Sequence, residues 1–396
     1  MSAATRAASL RRLRARGQID QLDGVRALAV VAVMTFHDFL TGWGYLGVDV
    51  FFVLSGLLIT GVLVGEADRR GGIDLRRFWA RRLLRLYPAL IVLVLLCSLV
   101  GDRLSQDGSW TMWWEAVAVT VTYTADIAIL ADGTQFLGAL GPVWSLAVEM
   151  QFYLVWAVVL AFLLHRRVAR AVLAAGTAVA AAAGLSLFWV LGTAPDPGLA
   201  VAPSYFRPDA RFGELLAGCA LALALSARRE PLPRAADRAL SAGAVAGLAV
   251  IVVGWLALGD HGTVAPIPVV VIGTTLVLAR LVTSDTALLS RALRIPPLPQ
   301  VGRISYAMYL WQLPIHALLI SLTPSEWIQR TGFWVGTFVA GALSTHLVER
   351  RFAVRRAKLR RADVEDGGLD PASASGGAAH ARTAGEPARL GDRSAA

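Results

Sequence analysis

The sequence predicts an all-α polytopic membrane protein with about ten transmembrane helices around a polar cavity, plus one short interfacial or re-entrant helix. Hydrophobic residues make up 56% of the 396 residues and charged residues only 17%, whereas a soluble domain carries about 25% charged residues. The hydrophobic residues fall in blocks close to 20 residues long, the length that spans a hydrocarbon core of about 30 Å. The arginines cluster between these blocks, as they do in the cytoplasmic loops of membrane proteins.

The first span follows a basic arm, residues 1–21, and no small-residue cleavage site comes after it. We therefore expect a retained helix here and not a signal peptide that is removed. With the arm in the cytoplasm, an even number of spans brings both termini to that side and keeps every arginine cluster there. The predicted spans are residues 22–40, 46–65, 86–101, 142–164, 169–191, 206–226, 240–258, 267–283, 303–322 and 332–349.

A further stretch, residues 112–130, is apolar enough to be an eleventh span. A full crossing there would invert every later loop and turn Arg166, Arg167 and Arg170 outward, against the positive-inside rule. We therefore expect this stretch to form the short interfacial or re-entrant helix.

The chain divides into three predicted parts: the arm 1–21, a membrane-embedded domain 22–352, and a tail 353–396. The tail is rich in Arg, Ala, Gly and Ser and has almost no large apolar side chains, so we expect it to be disordered and cytoplasmic. The net charge of +10 does not indicate a nucleic-acid partner, because the basic clusters lie between apolar blocks, where they meet lipid headgroups. Cys97 and Cys219 lie inside apolar blocks and belong to no zinc motif, so no metal is expected.

Two ionisable residues, Arg26 and His37, lie on the first predicted span. Eleven residues turn an α-helix about 20° past three full circles, so both side chains share one helix face, about 16 Å apart along the axis. An ionisable group at membrane depth costs several kcal/mol and is a functional candidate by default. From spacing alone, an arginine that reaches the headgroups and a hydrogen-bonded core histidine remain an equal alternative.

Other predicted spans also carry polar side chains at intervals of three or four residues. Such residues often join helices by hydrogen bonds only, but several aligned stripes are better explained by a shared polar cavity. The stripes contain Asp49 and Ser55; Ser145, Glu149 and Tyr153; Arg207, Arg211 and Glu214; Ser305, Tyr309, Gln312 and His316; and His346 and Glu349.

Several motifs follow one another in a recognisable order: QLDGVRALAVVAVMTFH, GYLGVDVFFVLSGLLIT, FWARRLLRLYPAL, PVWSLAVEMQFYL, GRISYAMYLWQLPI and LVERRF. Together they resemble the type-3 integral-membrane acyltransferase family across nearly all of residues 20–352. The resemblance implies a bacterial multi-pass protein of the cytoplasmic membrane. It also implies O-acylation of saccharides, lipids, peptidoglycan or small metabolites, with acyl-coenzyme A as the donor substrate and no permanently bound cofactor.

The resemblance also assigns residues. Arg26 and His37 match the family's Arg-x10-His pair, in which the histidine is the proposed catalytic group. Arg82 and Arg85 match its Arg-x-x-Arg pair at the cytoplasmic start of the third span. Many members have a histidine where this chain has Gln312, and a glutamine cannot carry a proton, so the catalytic role falls more heavily on His37.

The chemistry of acyl transfer suits these residues. A histidine can deprotonate a hydroxyl, or accept the acyl group itself, and Glu149 or Asp49 could orient its ring. Arginine forks match phosphate oxygens, which makes the cluster at 81–85 a candidate donor site; ordinary positive-inside charge is its alternative explanation. The predicted donor residues are Arg81, Arg82 and Arg85, and the predicted cavity-lining residues are Ser55, Ser145, Tyr153, Arg207, Arg211, Tyr309 and Gln312.

Two other functional classes are open to the same sequence. Polar stripes also mark substrate paths in secondary transporters of polar or anionic molecules, although the chain has no internal repeat and no broken helices at equivalent positions. A purely structural membrane protein would not need Arg26 and His37 on one helix face. Release of thiol from acyl-coenzyme A would distinguish an enzyme from both.

Overall fold

The computed structural model describes residues 19–105, 107–132, 134–192, 203–228, 233–257, 266–284 and 288–353, and these are helical with no strand. The predicted properties of the arm up to residue 18 and of the tail from 354 concern residues outside these ranges. The helices are α1 Asp20–His37, α2 Gly47–Arg70, α3 Leu75–Cys97, α4 Gly101–Leu104, α5 Trp110–Val121, α6 Ala125–Asp132, α7 Val143–His165, α8 Arg170–Gly192, α9 Pro208–Ala227, α10 Arg234–Ala257, α11 Ile267–Thr283, α12 Leu288–Ala292, α13 Leu298–Leu322 and α14 Glu326–Ser344.

Ten of these described helices have 17 to 25 residues and lie where spans were predicted. By length and composition, six segments could cross a membrane, and α11 is a shorter apolar helix. This pattern is consistent with a polytopic membrane protein. The count of ten spans stays a prediction, because α1, α13 and α14 are outside the set of six. These more polar helices carry His37, Gln312 and Arg330.

The long helices alternate in direction, so the bundle has two distinct ends. At one end Arg303 on α13 lies 2.9 Å from Asp20 on α1, and Arg170 on α8 pairs with Asp68 on α2. At the other, Trp334 on α14 donates a hydrogen bond of 3.0 Å to Asp38, just after α1. We call these the arginine end and the histidine end.

The described arginines are distributed very unequally between the two ends. The described arginines at residues 69–85, 166–170, 228, 234–238 and 350–351 all belong to the arginine end. In the described part of the chain, the exposed or partly exposed arginines of the histidine end are Arg103, Arg207 and Arg330. Such asymmetry is the pattern that the positive-inside rule associates with one side of a membrane.

Glycines let the central helices α2 and α9 approach each other closely. A side chain at Gly56 would collide with the carbonyl of Leu215, and one at Gly218 would collide with the carbonyl of Val53. Small residues at such contacts are typical of packed membrane helices, where the approach of two backbones replaces the hydrophobic effect as the driving force.

The stretch 112–130 forms a hairpin of two short helices, α5 and α6, where one short helix was predicted. The hairpin turns at Tyr123, whose φ is 55°. Its turn reaches deep into the bundle, because Tyr87 of α3 donates to the Val121 carbonyl at 2.7 Å and Gln151 of α7 donates to the Tyr123 carbonyl at 3.0 Å. With 12 residues, α5 is about 18 Å long, too short to cross a core of about 30 Å.

Candidate active site

A polar cavity lies between α1, α2, α3, α7 and α13 and encloses about 780 Å³ of empty space, including its open mouth. Each of these helices contributes at least one hydroxyl, charged or aromatic side chain. The lining residues are Arg26, Val48, Phe51, Phe52, Ser55, Leu58, Arg82, Arg85, Leu86, Ser145, Leu146, Glu149, Tyr153, Ser305, Tyr306 and Tyr309. The predicted stripes on α2, α7 and α13 thus meet in one space.

The three arginines of the cavity differ in whether a carboxylate pairs with them. Arg26 is held by Asp23, whose Oδ1 lies 2.7 Å from its Nη1. The guanidinium of Arg82 lies over the ring of Tyr153 at 5.1 Å. No described carboxylate lies within 4.0 Å of the guanidinium of Arg82 or Arg85. Two arginines without a paired carboxylate therefore face a largely apolar space, which favours an anionic ligand with phosphate or carboxylate oxygens.

Hydroxyl groups and one carboxylate also line the cavity. Tyr153 donates to Glu149 Oε1 at 2.6 Å. Tyr309 lies 2.7 Å from Ser145 Oγ and donates to the carbonyl of Pro142 at 3.0 Å. The hydroxyls of Tyr153 and Tyr309 thus have protein partners, which hold these two side chains in orientation.

His37 and Gln312 are not among the residues that line this cavity; His37 lies at the end of α1, and its ring is oriented by Gln312. Nδ1 of His37 is 3.2 Å from Oε1 of Gln312, and Nε2 of Gln312 donates to the Tyr309 carbonyl at 3.3 Å. That second bond turns the amide oxygen toward the histidine, so His37 Nδ1 is the donor. In the neutral ring Nε2 is then the nitrogen that can accept a proton. Neither predicted carboxylate has this role: the partner of Nδ1 is an amide.

Asp49 was one of two carboxylates proposed to orient the ring of His37, and the structure gives it a different partner. Its Oδ1 is 2.9 Å from Nη2 of Arg211, while Nη1 of Arg211 is 2.7 Å from Glu214 Oε1, and all three side chains are 0% exposed. The Arg211 guanidinium also lies over four aromatic rings, the nearest being Tyr205 at 4.6 Å. Asp49 and Arg211 therefore belong to a separate buried cluster between α2 and α9, not to the cavity.

Two other predicted arginines also lie away from the cavity. Arg81 pairs with Glu66 at 2.7 Å, and Glu66 also accepts the backbone N–H of Asp74 at 2.9 Å, so this arginine fixes the turn between α2 and α3. Arg207 pairs with Asp209 at 2.7 Å on the surface of the histidine end. These two arginines therefore do not line the cavity, because each pairs with a carboxylate outside it.

Some residues of the site were not identified from the sequence. Tyr306 lines the cavity and donates to the Leu86 carbonyl at 2.7 Å; it is adjacent in sequence to the predicted stripe on α13. Asp23 is the partner of Arg26, and its spacing of three residues on one helix is a signal that could have found it. Within the described residues there is no cluster of three potential metal ligands.

Comparison with known proteins gives consistent matches along the chain. A model described as an acyltransferase domain matches residues 19–348. The peptidoglycan O-acetyltransferase OatA of Listeria monocytogenes is 31% identical over 370 residues, covering 84% of this chain and 56% of that protein. The O-acetyltransferase OatA of Staphylococcus aureus (strain NCTC 8325 / PS 47) is 31% identical over 315 residues, covering 74% and 50%. The putative peptidoglycan O-acetyltransferase YrhL of Bacillus subtilis is 30% identical over 363 residues, covering 84% and 54%.

The extent of these matches matters as much as their identity. The chain spans about half the length of the curated relatives it matches. The match includes α1 to α14, and therefore every residue of the cavity and His37. No solved structure matches the chain.

Proposed function

Since the chain belongs to the type-3 acyltransferase family, we propose that it is a membrane-bound O-acyltransferase that moves an acyl group from a coenzyme A thioester to a hydroxyl of a saccharide. One observation carries the proposal. The cavity contains two arginines without a paired carboxylate, Arg82 and Arg85, and its wall at Tyr309 is one helical turn from Gln312, which orients His37.

The donor is proposed to bind with its phosphates on Arg82 and Arg85. Guanidinium forks bind phosphate oxygens through paired, charge-assisted hydrogen bonds, and both residues lie in the first half of α3, toward the arginine end. Arg26, already neutralised by Asp23, would position the thioester and not compete for the phosphates. Coenzyme A is a cytoplasmic metabolite, so this proposal also assigns the arginine end and both predicted termini to the cytoplasm.

His37 is proposed to be the catalytic group. In the direct route, Nε2 takes the proton of the acceptor hydroxyl, whose oxygen attacks the thioester carbonyl; the C–O bond forms, the C–S bond breaks, and the thiolate receives the proton. In the two-step route, Nε2 attacks the carbonyl, the C–S bond breaks and the thiolate leaves; the acceptor oxygen then attacks the acyl-imidazole, the N–C bond breaks, and the hydroxyl proton is transferred to the thiolate. Both routes need Nε2 unprotonated, and the hydrogen bond from Nδ1 to Gln312 favours that tautomer.

The names of the relatives suggest the acceptor. One of the three compared proteins is named a peptidoglycan O-acetyltransferase and another a putative one, so we propose a cell-wall saccharide as the acceptor and acetyl as the acyl group. The purified chain should release thiol from acetyl-coenzyme A and add acetyl to soluble peptidoglycan fragments, as followed by a thiol reagent and by mass spectrometry.

The variant His37→Gln tests the proposed role of the histidine. Loss of a general base lowers the rate by about 10² to 10⁴, so transfer should nearly vanish while the protein stays folded and binds donor. His165→Gln, an exposed histidine at the end of α7, is the matched control and should retain full activity. Near-native transfer by His37→Gln would refute the mechanism, and uptake of a substrate without thiol release would favour the transporter.

A further inference from the structure

The polar stripe on α13 continues past Gln312 toward the histidine end. His316 is one turn further along the helix and is 9% exposed. The ring of Phe39, two residues after His37, lies 6.3 Å from the ring of His316. Phe39 itself is 75% exposed. An aromatic group open to the surroundings therefore lies two residues after His37 and beside His316.

The backbone of Phe39 is unusual and is firmly held. Its φ is 54°, a left-handed conformation that bulky side chains rarely adopt. The surrounding turn fixes this conformation: the N–H groups of Leu40 and Thr41 donate to the Thr35 carbonyl at 2.9 and 3.2 Å, and the hydroxyls of Thr35 and Thr41 are 2.9 Å apart. The Phe39 N–H also donates to the Phe36 carbonyl at 3.1 Å, so the turn is a helix C-cap with a left-handed residue, and it fixes the position from which the Phe39 side chain projects.

A cation lies beside the same turn. Asp38 is 4% exposed, and its Oδ1 lies 4.0 Å from Nε of Arg330, whose side chain is 52% exposed. Trp334 donates to the other oxygen of Asp38. A half-exposed guanidinium thus lies near the buried carboxylate of Asp38. Phe39, His316 and Arg330 together form what we call the histidine-end rim.

We propose that the histidine-end rim is the acceptor subsite, in which the ring of Phe39 packs against the C–H face of a sugar while Arg330 and His316 bind its polar groups. The inference rests on the proposed function and adds to it where the acceptor binds. Aromatic faces attract the polarised C–H groups of a sugar ring, and a guanidinium binds carboxylate or hydroxyl oxygens. An aromatic anchor in the lipid interface would need neither a cation nor an imidazole beside it.

This arrangement places the acceptor on the opposite side of His37 from the donor arginines. The two substrates would then approach the imidazole from different ends of the bundle. Substitutions at the rim should consequently weaken acceptor binding and leave donor binding unchanged. Substitutions at Arg82 and Arg85 should weaken donor binding and leave acceptor binding unchanged.

The test measures binding separately from transfer, on the full chain in detergent micelles. Phe39→Asn removes the ring and suits the left-handed backbone, because asparagine tolerates this conformation, so misfolding cannot account for a loss. Binding of a soluble peptidoglycan disaccharide is measured by saturation-transfer NMR, and binding of acetyl-coenzyme A by calorimetry. Trp110→Ala, which removes a 45% exposed aromatic at the start of α5, is the matched control.

We expect Phe39→Asn to weaken disaccharide binding about tenfold, with donor affinity and the control unchanged. Equal disaccharide affinity in Phe39→Asn and the wild type would overturn the proposed subsite, as would a wild type that binds no disaccharide. Binding that depends on Phe39 in a protein that transfers no acetyl group would support the rim and reject the proposed enzymatic function instead.

Discussion

Gln312 offers a sharp test of how this chain uses its histidine. The variant Gln312→Leu keeps the volume of the buried side chain, which is 0% exposed, and removes the acceptor for His37 Nδ1. A hydrogen bond of this kind is worth about 0.5–1.5 kcal/mol net, and at 3.2 Å this one should be in that range. The corresponding loss is about 2- to 13-fold in rate, well below the 10² to 10⁴ expected for removal of the base itself.

The matched variant is Gln312→Glu, which retains an acceptor oxygen at the same reach. If Gln312 acts by fixing the ring of His37, the glutamate should restore turnover close to the native rate, although it adds a charge. Turnover is followed as acetyl transfer under saturating donor and acceptor, so that kcat is compared and not binding, and thermal melting checks the fold of each variant.

Two results would refute the role given to Gln312. Native turnover in Gln312→Leu would mean that the orientation of His37 comes from elsewhere. A loss as large as that of His37→Gln would mean that Gln312 takes part in the chemistry itself. In the first case the hydrogen bond between the two residues is only structural, and in the second the mechanism needs another group.

The other predictions concern the donor site, the buried cluster and the orientation. The double variant Arg82→Gln, Arg85→Gln should weaken acetyl-coenzyme A binding, measured by calorimetry, about 10- to 150-fold, which corresponds to one lost charge-assisted hydrogen bond. Arg76→Gln, on the exposed face of α3, should bind the donor as the wild type does. Equal donor affinity in the double variant would mean that the two arginines contribute only positive charge on one side of the membrane. Arg211→Gln leaves two buried carboxylates without their cation and should destabilise the protein by about 3–5 kcal/mol, measured as a lower melting temperature. The exposed Arg207→Gln should leave the melting temperature unchanged. An unchanged melting temperature in Arg211→Gln would contradict the ion cluster. In intact cells, an impermeant thiol reagent should label Ser321→Cys at the histidine end and not Gly72→Cys at the arginine end. Both positions are exposed and the native Cys97 and Cys219 are buried, so labelling reports the side of the membrane. The reverse labelling would invert the proposed topology.

The sequence predicted several polar residues of the cavity, but it did not predict which polar residues contact one another. Glu149, Tyr153, Ser145 and Tyr309 line the cavity, and all were identified because polar side chains recur every three or four residues on one helix face. Asp49 satisfied the same rule but packs against Arg211 on a helix 162 positions away in the chain. Periodicity describes one helix at a time, and only the packing of α2 on α9 decides which neighbour a stripe faces.

Neighbouring arginines on α3 illustrate the same limit at shorter range. Arg81 and Arg82 are adjacent, yet adjacent residues point about 100° apart on a helix. One therefore pairs with Glu66 and the other enters the cavity. The rotation of α3 about its axis depends on its contacts with other helices, which composition and spacing do not encode. The partner of His37 was equally hidden, since Gln312 lies 275 positions further along the chain.

The stripe on α13 connects the proposed donor and acceptor sites. From Ser305 in the cavity to His316 in the rim there are eleven residues, or about 16 Å along the helix axis, which is about half of a hydrocarbon core. Gln312 lies between these ends and holds His37. With a phosphate-bearing donor at the arginine end and a saccharide at the histidine end, neither large polar molecule has to enter the bilayer. In this proposal the acyl group is transferred at His37, which lies at the end of α1 between the two proposed binding sites.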